Sequence, residues 1–297
     1  MINLDEKKFC FCTYAGGEIY SSLAANLVSD IEKYAPETPL IIFTDKPNKF
    51  SNHSNSNVLV FPHQRRGVLH YHERRFAIAK ALSMFNSCMY LDADVRICAP
   101  FPENKLWLPG ITARSCTSMM KHIQELMSVR NSASGKMAKQ VEFYKTMGKK
   151  LGIDIETQDL TWINEFLFVV TRDSGREVEF LKLWEKLAVY AELNGHHKHP
   201  AYAIGIAATK ASFPIRHDVM EGVDFFDDRI EKVRISKEES DPNVKNFYFE
   251  FQNQIEQPQR SILQKVWSKI CKNAEYLYYA VRLKVYAFSD DYKFYYQ

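Results

Sequence analysis

The stretch that decides the fold is Cys88-Met-Tyr-Leu-Asp92-Ala93-Asp94. Its four apolar residues predict a short buried strand, and two carboxylates separated by one residue follow directly. Because side chains two positions apart in an extended chain lie on the same side, both carboxylates can face one ligand. They repel each other unless a cation lies between them, and hard oxygen ligands favour Mn²⁺ or Mg²⁺. The pattern predicts a divalent-metal site, and the alternative is a surface turn with two aspartates.

The segments before this stretch alternate between strand and helix patterns. Apolar runs predict strands at residues 9–15, 40–44, 58–61 and 88–91, and helical spacing predicts helices after Gly17 and over about 72–85. This alternation is typical of an α/β protein with a mostly parallel sheet. Such sheets bind ligands at the carboxyl ends of their strands. The residues that follow the first two strands, Thr13-Tyr14-Ala15 and Asp45, are therefore candidate binding residues.

The chain resembles glycosyltransferases of the GT-A fold, which use nucleotide-sugar donors. The similarity is carried by a predicted helix with Arg75, a short turn, and then Tyr90-Leu-Asp92-Ala93-Asp94, as in the retaining hexosyltransferases. It covers roughly residues 9–220. The resemblance implies a GT-A fold, which has a Rossmann-like, mostly parallel central sheet flanked by helices. In this chain a C-terminal helical tail follows that sheet.

The resemblance also implies roles for the residues around the two aspartates. Asp92, Ala93 and Asp94 are expected to contact the metal and the donor diphosphate, with Arg75 as a further diphosphate ligand. Arg74 is the alternative register for Arg75, and Lys80, further along the same helix, is either a third diphosphate ligand or a solvated side chain. Thr13, Tyr14 and Ala15 match the position where such enzymes contact the base and ribose. In some related families a C-terminal His completes the metal site, and His217 is the positional candidate.

The acceptor side is predicted from Thr161-Trp162-Ile-Asn164-Glu165, which precedes a second apolar strand. Trp162 can stack on the apolar face of a sugar or pack inside the protein. Asn164 and Glu165 are candidate catalytic residues, since Glu165 can stabilise positive charge at the anomeric carbon or bind an acceptor hydroxyl. The loop His196-His197-Lys-His199 is interpreted as a zinc site, an acceptor contact through His199, or a neutral surface loop.

Length and composition limit the classes of protein. The 297 residues are 46% hydrophobic and 25% charged with a net charge of +3, which excludes a disordered chain and argues against a nucleic-acid partner. The longest apolar runs are too short to span a bilayer. The polar N-terminus does not resemble a signal peptide. The six cysteines show no zinc-like spacing and are expected to be reduced thiols, which favours a cytoplasmic location.

The domain prediction places a GT-A domain at residues 1–235, with its donor half at about 1–110 and its acceptor half at about 111–235. Residues 236–297 are predicted to form a linker and an amphipathic helical tail. In the tail, an apolar stripe with Trp267 and several tyrosines accompanies a Lys-rich remainder, and Glu275 is the only acid between residues 261 and 288. Such a helix is expected either on the inner face of a membrane or packed against protein.

The function predicted from these residues is metal-dependent transfer of a hexose from a nucleotide-diphosphate sugar, with UDP favoured. The acceptor is a hydroxyl of a glycan or glycolipid, and the Asp-Ala-Asp resemblance leans to retention of configuration. The alternatives are a haloacid-dehalogenase-like phosphatase, which would use Asp92 and Asp94 with Lys210 and Asp227-Asp228, and a non-catalytic sugar- or nucleotide-binding protein. A sugar nucleotidylyltransferase is weaker, since Gly16-Gly17 does not supply its Gly-rich loop.

Overall fold

The structure is a computed structural model that describes residues 8–51, 57–102, 105–129, 135–257 and 261–297. The N-terminal residues 1–7, on which the signal-peptide prediction rests, lie outside the described residues. The protein is an α/β protein with a mostly parallel, seven-stranded main sheet, flanking helices and a long C-terminal helix. The predicted fold class is confirmed at this level. The chain divides into two compact units.

The first unit comprises Met1–Arg65, Phe76–Leu106 and Met220–Ala274. Its elements, in chain order, are β1 (Phe9–Ala15), α1 (Gly17–Tyr34), β2 (Leu40–Thr44), a 3₁₀ turn (Pro47–Phe50), β3 (Val58–Pro62), most of α2 (Arg74–Met84), β4 (Ser87–Leu91), β5 (Arg96–Ile97), β11 (Phe225–Phe226), α7 (Asp228–Ser236), α8 (Asn246–Glu256) and the start of α9 (Ile262–Asp290).

Four parallel strands form the core of the first unit, in the order β4-β1-β2-β3. β1 and β4 are almost completely buried, which explains why each reads as a continuous apolar run rather than an alternating one. In the register of the sheet, Cys12 pairs with Tyr90 of β4 and Ala15 with Thr44 of β2. The predicted strands and their carboxyl ends are therefore present within about one residue of the expected bounds.

A short antiparallel pair in the first unit, β5 with β11, brings distant parts of the chain together. Phe226 pairs with Arg96, and the Arg96 guanidinium binds Asp30 of α1 at 2.5 Å and lies over the Tyr248 ring at 5.2 Å. Tyr248 belongs to α8, so the segment interpreted as a linker contains a helix that packs in this unit. Phe249 of the same helix contacts Phe226 edge to face.

The second unit comprises Arg66–Arg75, Trp107–Val219 and Glu275–Gln297. Besides the start of α2 and the C-terminal part of α9, its elements are β6 (Gly110–Ala113), β7 (Cys116–Ser118), α3 (Met119–Val129), α4 (Gly135–Lys149), β8 (Thr161–Ile163), β9 (Leu167–Thr171), α5 (Arg176–Leu193), α6 (Ala201–Lys210), β10 (Ile215–His217) and α10 (Tyr292–Tyr296). Strands β10 and β6 are parallel, β6 and β9 are antiparallel, and β7 pairs with β8.

Helix α9 has two faces of different character. Its buried residues are Tyr279, Leu283 and Ala287, at a spacing of four. Besides Ile262 at the first position of the helix, nine large apolar residues are each more than half exposed: Leu263, Val266, Trp267, Ile270, Leu277, Tyr278, Val281, Val285 and Phe288. At ~100° per residue they fill an arc of about 120° opposite the buried face. The apolar stripe of α9 is therefore not used for packing within the described chain. No helix among the described residues is long and apolar enough to span a membrane.

Candidate functional site

The two predicted metal-binding aspartates follow β4 directly. The Asp92 carbonyl accepts a hydrogen bond from Val95 N–H at 3.0 Å, which closes a tight turn around Ala93 and Asp94. Ala93 is buried, whereas both carboxyl side chains are half-buried. The Tyr90 hydroxyl donates to Asp92 Oδ1 at 3.1 Å. The end of the strand thus presents two carboxylates on a short, well-anchored turn.

A third carboxylate, Asp227, joins this pair within the first unit. Because Phe226 pairs with Arg96 in the antiparallel register, Asp227 comes opposite the residue after Asp94. Asp227 is buried, and its Oδ1 accepts from the N–H groups of Arg229 and Ile230 at the start of α7. The Arg229 guanidinium lies 3.4 Å from Asp227 Oδ2 and 3.6 Å from Asp92 Oδ2. We call Asp92, Asp94, Asp227 and Arg229 the acidic cluster.

The charges of the acidic cluster shift the pKa values of its members. Burial and then the negative charges of Asp92 and Asp227 raise the pKa of Asp94 to about 7. Burial also raises the pKa of Asp227. Burial alone lowers the pKa of Arg229, but the attraction of Asp227, Asp92 and Asp94 outweighs it and the net shift is upward. Three carboxylates therefore share one neighbouring cation, and the cluster has an excess of negative charge.

The donor set of the acidic cluster fits a hard divalent cation. It offers only carboxylate oxygens, and its excess negative charge favours an added cation. Among the described residues, no group of three or more His, Cys, Asp or Glu side chains is arranged to hold a metal ion by itself. A Mg²⁺ or Mn²⁺ ion that also binds a diphosphate needs only one or two protein carboxylates, because phosphate oxygens and waters fill the other positions. The Asp92-Asp94 pair supplies that number of carboxylates, and a metal at this position stays a prediction.

The raised pKa of Asp94 gives a testable pH dependence. An aspartate in an unfolded chain titrates near pH ~4, so the folded protein holds more protons than the unfolded chain between about pH 4 and 7. The stability from the protonated carboxyl is lost as the pH rises through that window. We expect the free energy of unfolding, measured with urea in EDTA, to fall more between about pH 4.5 and 7.5 in the wild type than in Asp94→Asn.

The comparison of the wild type with Asp94→Asn isolates the contribution of Asp94 to the pH dependence of stability. The pKa of Glu192 is raised and that of His72 is lowered, but both groups are present in the wild type and in the variant. Their contributions therefore cancel in the difference. If the free energy of unfolding falls equally in both proteins, Asp92 and Asp227 do not raise the pKa of Asp94.

The other predicted donor residues of the first unit lie at the carboxyl ends of β1 and β2. Thr13 and Ala15 are buried, and the Thr13 hydroxyl has no hydrogen-bond partner among the described residues. Asp45 Oδ1 accepts from Gly17 N–H at 2.7 Å, at the start of α1. Asp45 thus binds a helix N-terminus, where its negative charge is favourable. Tyr14 contacts the His63 ring edge to face.

Lys80 has a specific neighbour in the first unit. Its ammonium group lies 4.8 Å from the centre of the Phe61 ring, which is a cation–π geometry. Lys80 is half-buried on α2, so neither of its two predicted roles is tested by this contact. A role in diphosphate binding stays a prediction.

Arg74 and Arg75 belong to the second unit, and both are buried. The Arg75 guanidinium donates to the His72 carbonyl at 2.7 Å and lies 3.8 Å from Glu185. Arg74 donates to the Glu165 carbonyl at 2.6 Å. Arg74 therefore holds the segment that carries the acceptor candidates. The predicted contact of Arg75 with a donor diphosphate stays a prediction.

Three of the predicted acceptor-side residues line one cavity of the second unit, with a volume of about 240 Å³. We call it the aromatic cavity. Its wall contains Trp162, Glu165 and His199 together with His122, Tyr144 and Tyr202. Trp162 stacks on His122 with ring centres 3.8 Å apart, and Tyr144 stacks on Tyr202 at 3.6 Å. Flat rings beside a carboxyl group form a surface that suits the alternating apolar and hydroxyl faces of a sugar.

The backbone keeps the wall of this cavity in place. A side chain at Gly205 of α6 would overlap the carbonyl oxygen of Thr161, so glycine allows α6 to approach β8 closely. Asn164 does not line the cavity; its N–H donates to the Ser115 carbonyl at 2.9 Å.

Burial raises the pKa of Tyr144 to about 12, and the charge of Glu165 acts in the same direction. Tyr144 is therefore a neutral hydrogen-bonding group at physiological pH.

The three histidines of the 196–199 loop have different surroundings. His196 stacks on Phe143 at 3.7 Å, the His197 ring is 3.0 Å from the Tyr276 hydroxyl, and His199 lines the aromatic cavity in the left-handed backbone region with φ 67°. No zinc site is found at this loop among the described residues. His217, the predicted additional metal ligand, is exposed at the end of β10 in the second unit, and its role stays a prediction.

Sequence reasoning did not assign the partners that complete these sites. Asp227 was considered only for the phosphatase alternative, and Arg229 was not considered. His122, Tyr144 and Tyr202 lie on three different helices, α3, α4 and α6. No protein-family model matches the chain, and no similar sequence was found among the curated proteins.

Proposed function

We propose that the protein is a metal-dependent glycosyltransferase of the GT-A type that transfers a hexose from a nucleotide-diphosphate sugar to a hydroxyl acceptor. The observation that carries the proposal is the acidic cluster: two carboxylates at the end of a parallel strand, with a third carboxylate beside them and one arginine. Nucleotide ligands of α/β proteins bind at the carboxyl ends of parallel strands. UDP is the favoured nucleotide, and the Asp-Ala-Asp resemblance favours retention of configuration.

In this proposal, different residues of the chain bind the metal ion and the diphosphate. Asp92 and Asp94 supply the oxygen ligands for Mn²⁺ or Mg²⁺, and when bound, the ion neutralises the charge that develops on the departing diphosphate. Arg229 is 63% exposed in its side chain and already lies beside the carboxylates, so it can donate to a phosphate oxygen that enters the cluster. Thr13 is buried inside β1, so a contact of its hydroxyl with the ribose stays a prediction.

The aromatic cavity is the proposed acceptor site. Trp162 and the Tyr144–Tyr202 stack provide apolar surfaces for a sugar ring, and Glu165 provides an acceptor for its hydroxyl groups. The proposed acceptor is a glycan or glycolipid, because such a molecule offers both kinds of surface. No nucleic-acid partner is proposed.

The proposal is tested by screening UDP-, GDP- and CMP-sugars by NMR for hydrolysis that depends on Mn²⁺. We expect one nucleotide class to be hydrolysed with Mn²⁺ and to be stable with EDTA, because transferases of this kind pass the sugar slowly to water. If no nucleotide sugar is bound or hydrolysed, the chain is a protein of another kind, such as a non-catalytic sugar-binding protein.

The acceptor site gives a separate prediction. Removal of the Trp162 ring should weaken saccharide binding by roughly two- to twelvefold, because one stacked aromatic surface contributes roughly 0.5–1.5 kcal/mol beyond its buried area. We expect Trp162→Ala to lose the saturation-transfer NMR signals of bound mono- and disaccharides, and Trp162→Phe to keep part of them. Trp267→Ala, at an exposed position on α9, is the matched control. Equal signals in all these proteins would contradict an acceptor role for Trp162.

A second candidate function is a phosphatase of the haloacid-dehalogenase type. It is favoured by the position of Asp227 next to the Asp92-Asp94 pair, because this alternative expects a further acidic residue there. Lys210 is exposed at the end of α6 in the second unit. A phosphatase would form a stable aspartyl-phosphate analogue with beryllium fluoride and Mg²⁺, whereas the proposed transferase would bind UDP with Mn²⁺.

We propose that α9 holds the protein on an anionic membrane surface, at the cytoplasmic face. The exposed apolar arc of the helix is about 120° wide and continuous over its length, and Lys265, Lys269, Lys272, Arg282 and Lys284 outnumber its acids, Glu275 and Asp290. Apolar side chains on one arc and net positive charge are the features of helices that lie in the headgroup region. The buried thiols of Cys10, Cys12 and Cys88 suit the reducing cytoplasm.

A further inference from the structure

A second cavity of the second unit, with a volume of about 230 Å³, has a different lining from the aromatic cavity. It lies among the 66–75 segment, α5 and the C-terminal part of α9. Arg66, Arg75 and Arg282 line it, and we call it the arginine cavity. Two carboxyl groups, Glu185 and Glu192, also line it, and the buried Glu73 carboxylate lies beside it, bonded to the N–H groups of Arg66 and Gly67. No residue of this lining belongs to the acidic cluster or the aromatic cavity.

His72 lines the arginine cavity with unsatisfied polar atoms. Its side chain is 1% exposed, and both ring nitrogens lack a hydrogen-bond partner among the described residues. Burial and the charges of Arg75 and Arg74 lower the pKa of His72 to about 3. The ring is therefore neutral, with one nitrogen that can donate and one that can accept. Buried polar atoms are nearly always hydrogen-bonded. The ring is therefore suited to a ligand that has both a hydrogen-bond donor and a hydrogen-bond acceptor.

Glu192 presents a second unsatisfied atom to the same cavity. Its Oε2 accepts from Val68 N–H at 2.6 Å, whereas its Oε1 is buried without a hydrogen-bond partner among the described residues. Gly67 makes this position possible, because a Cβ atom at residue 67 would lie 2.5 Å from Glu192 Oε2. The carboxyl is thus held at a fixed position by the backbone of the 66–75 segment.

We propose that the arginine cavity binds a phosphate monoester, of which inorganic phosphate is the smallest member. Guanidinium groups bind phosphate oxygens with paired, charge-assisted hydrogen bonds. A hydrogen phosphate or a hydroxylated phosphate ester offers acceptors to the arginines and to one His72 nitrogen. Its hydroxyl hydrogen can be donated to the other nitrogen or to Glu192 Oε1, and both are served only by a species with two hydroxyl groups, such as dihydrogen phosphate or a hydroxylated ester. At ~30 Å³ per water the cavity holds roughly seven waters, which is room for a phosphate group and a small organic remainder.

The phosphate has two possible sources, a soluble ester and a lipid headgroup. Arg282 and Tyr286 reach the cavity from α9, the helix whose opposite face carries the exposed apolar arc. Because the cavity lies on the side of α9 away from the apolar arc, a soluble ester is the favoured source and a headgroup is the alternative. The proposal does not depend on the transferase function, since every lining residue is in the second unit and the readout below is phosphate binding.

The test is calorimetric titration of inorganic phosphate into the full chain without metal, at constant ionic strength. We expect binding by the wild type, a dissociation constant raised at least about tenfold in Arg282→Gln, and a change within about twofold in Lys284→Gln. Lys284 loses the same charge two residues away on the same helix and does not line the cavity. Arg66→Gln is the second variant if Arg282→Gln unfolds, as judged by circular dichroism.

Two competition experiments distinguish the sources of phosphate. Phosphatidylcholine vesicles with phosphatidic acid should compete with inorganic phosphate, in a way that depends on Arg282, only if the site accepts a headgroup. Competition by glycerol phosphate alone assigns a soluble ester. The proposal is overturned if the wild type binds no phosphate, or if Arg282→Gln and Lys284→Gln weaken binding equally. The unsatisfied atoms of His72 and Glu192 would then be hydrogen-bonded to water.

Discussion

Asp94→Asn is expected to abolish Mn²⁺-dependent binding of UDP, while the protein is expected to melt at or slightly above the wild-type temperature at neutral pH. Binding is lost because one of the two carboxylates that would hold the ion is replaced by a neutral amide. Loss of a supporting group beside a metal costs 10–100-fold in affinity, so loss of a direct ligand should cost at least ~100-fold. Stability is kept because the variant removes a buried charge that Asp92 and Asp227 repel.

The matched control for this prediction is Asp228→Asn. Asp228 is the next residue along the chain from Asp227, and its carboxylate pairs with Lys232 on α7 instead of facing the acidic cluster. The substitution therefore removes the same charge from the same unit without touching the proposed metal ligands. Calorimetry with UDP and Mn²⁺ should give wild-type affinity for this variant. If both variants bind like the wild type, Asp94 is not a metal ligand.

The second large effect is expected on α9. Replacement of Leu263, Ile270 and Val281 by Glu should reduce binding to vesicles of phosphatidylcholine with phosphatidylglycerol by at least ~100-fold. These residues lie at the centre of the exposed arc, and each apolar side chain buried contributes roughly 1.5–3 kcal/mol. Vesicle co-sedimentation measures the loss. Raised salt should weaken wild-type binding in part, because only the Lys and Arg contribution is screened.

The control adds the same charge to the same helix without removing apolar surface. Gln264, Asn273 and Ser289 are exposed residues of α9 outside the apolar arc, and the triple change to Glu lowers the net charge equally. We expect this control to keep most of its vesicle binding. If the two triple variants bind equally well, the arc does not contact lipid. Loss of a dimer in the apolar variant alone would assign the arc to a second copy of the chain.

The sequence was sufficient for the features that depend on local pattern. β1 and β4 are buried on both faces, so continuous apolar runs identified them, and the two aspartates after β4 were visible in the same few residues. The stripe of α9 was also readable, because helical spacing alone produces it.

The features that the sequence did not reveal come from long-range pairing. Asp227 reaches Asp94 only because β11 pairs with β5, two short strands whose paired residues Phe226 and Arg96 are 130 positions apart in the chain. Its local pattern, Asp before a helix, indicates an N-cap, and it does cap α7. The same holds for the wall of the aromatic cavity, where α3, α4 and α6 each contribute one ring. The unsatisfied nitrogens of His72 have no sequence signal at all.

The central claim is that the Asp92-Asp94 pair binds a divalent ion together with a diphosphate. The most direct measurement is calorimetric titration of UDP into the wild-type protein, once with Mn²⁺ and once with EDTA. We predict heat of binding at one site per chain with Mn²⁺ and none with EDTA. Binding of UDP that is equally strong in EDTA, or no binding in either buffer, would contradict the claim.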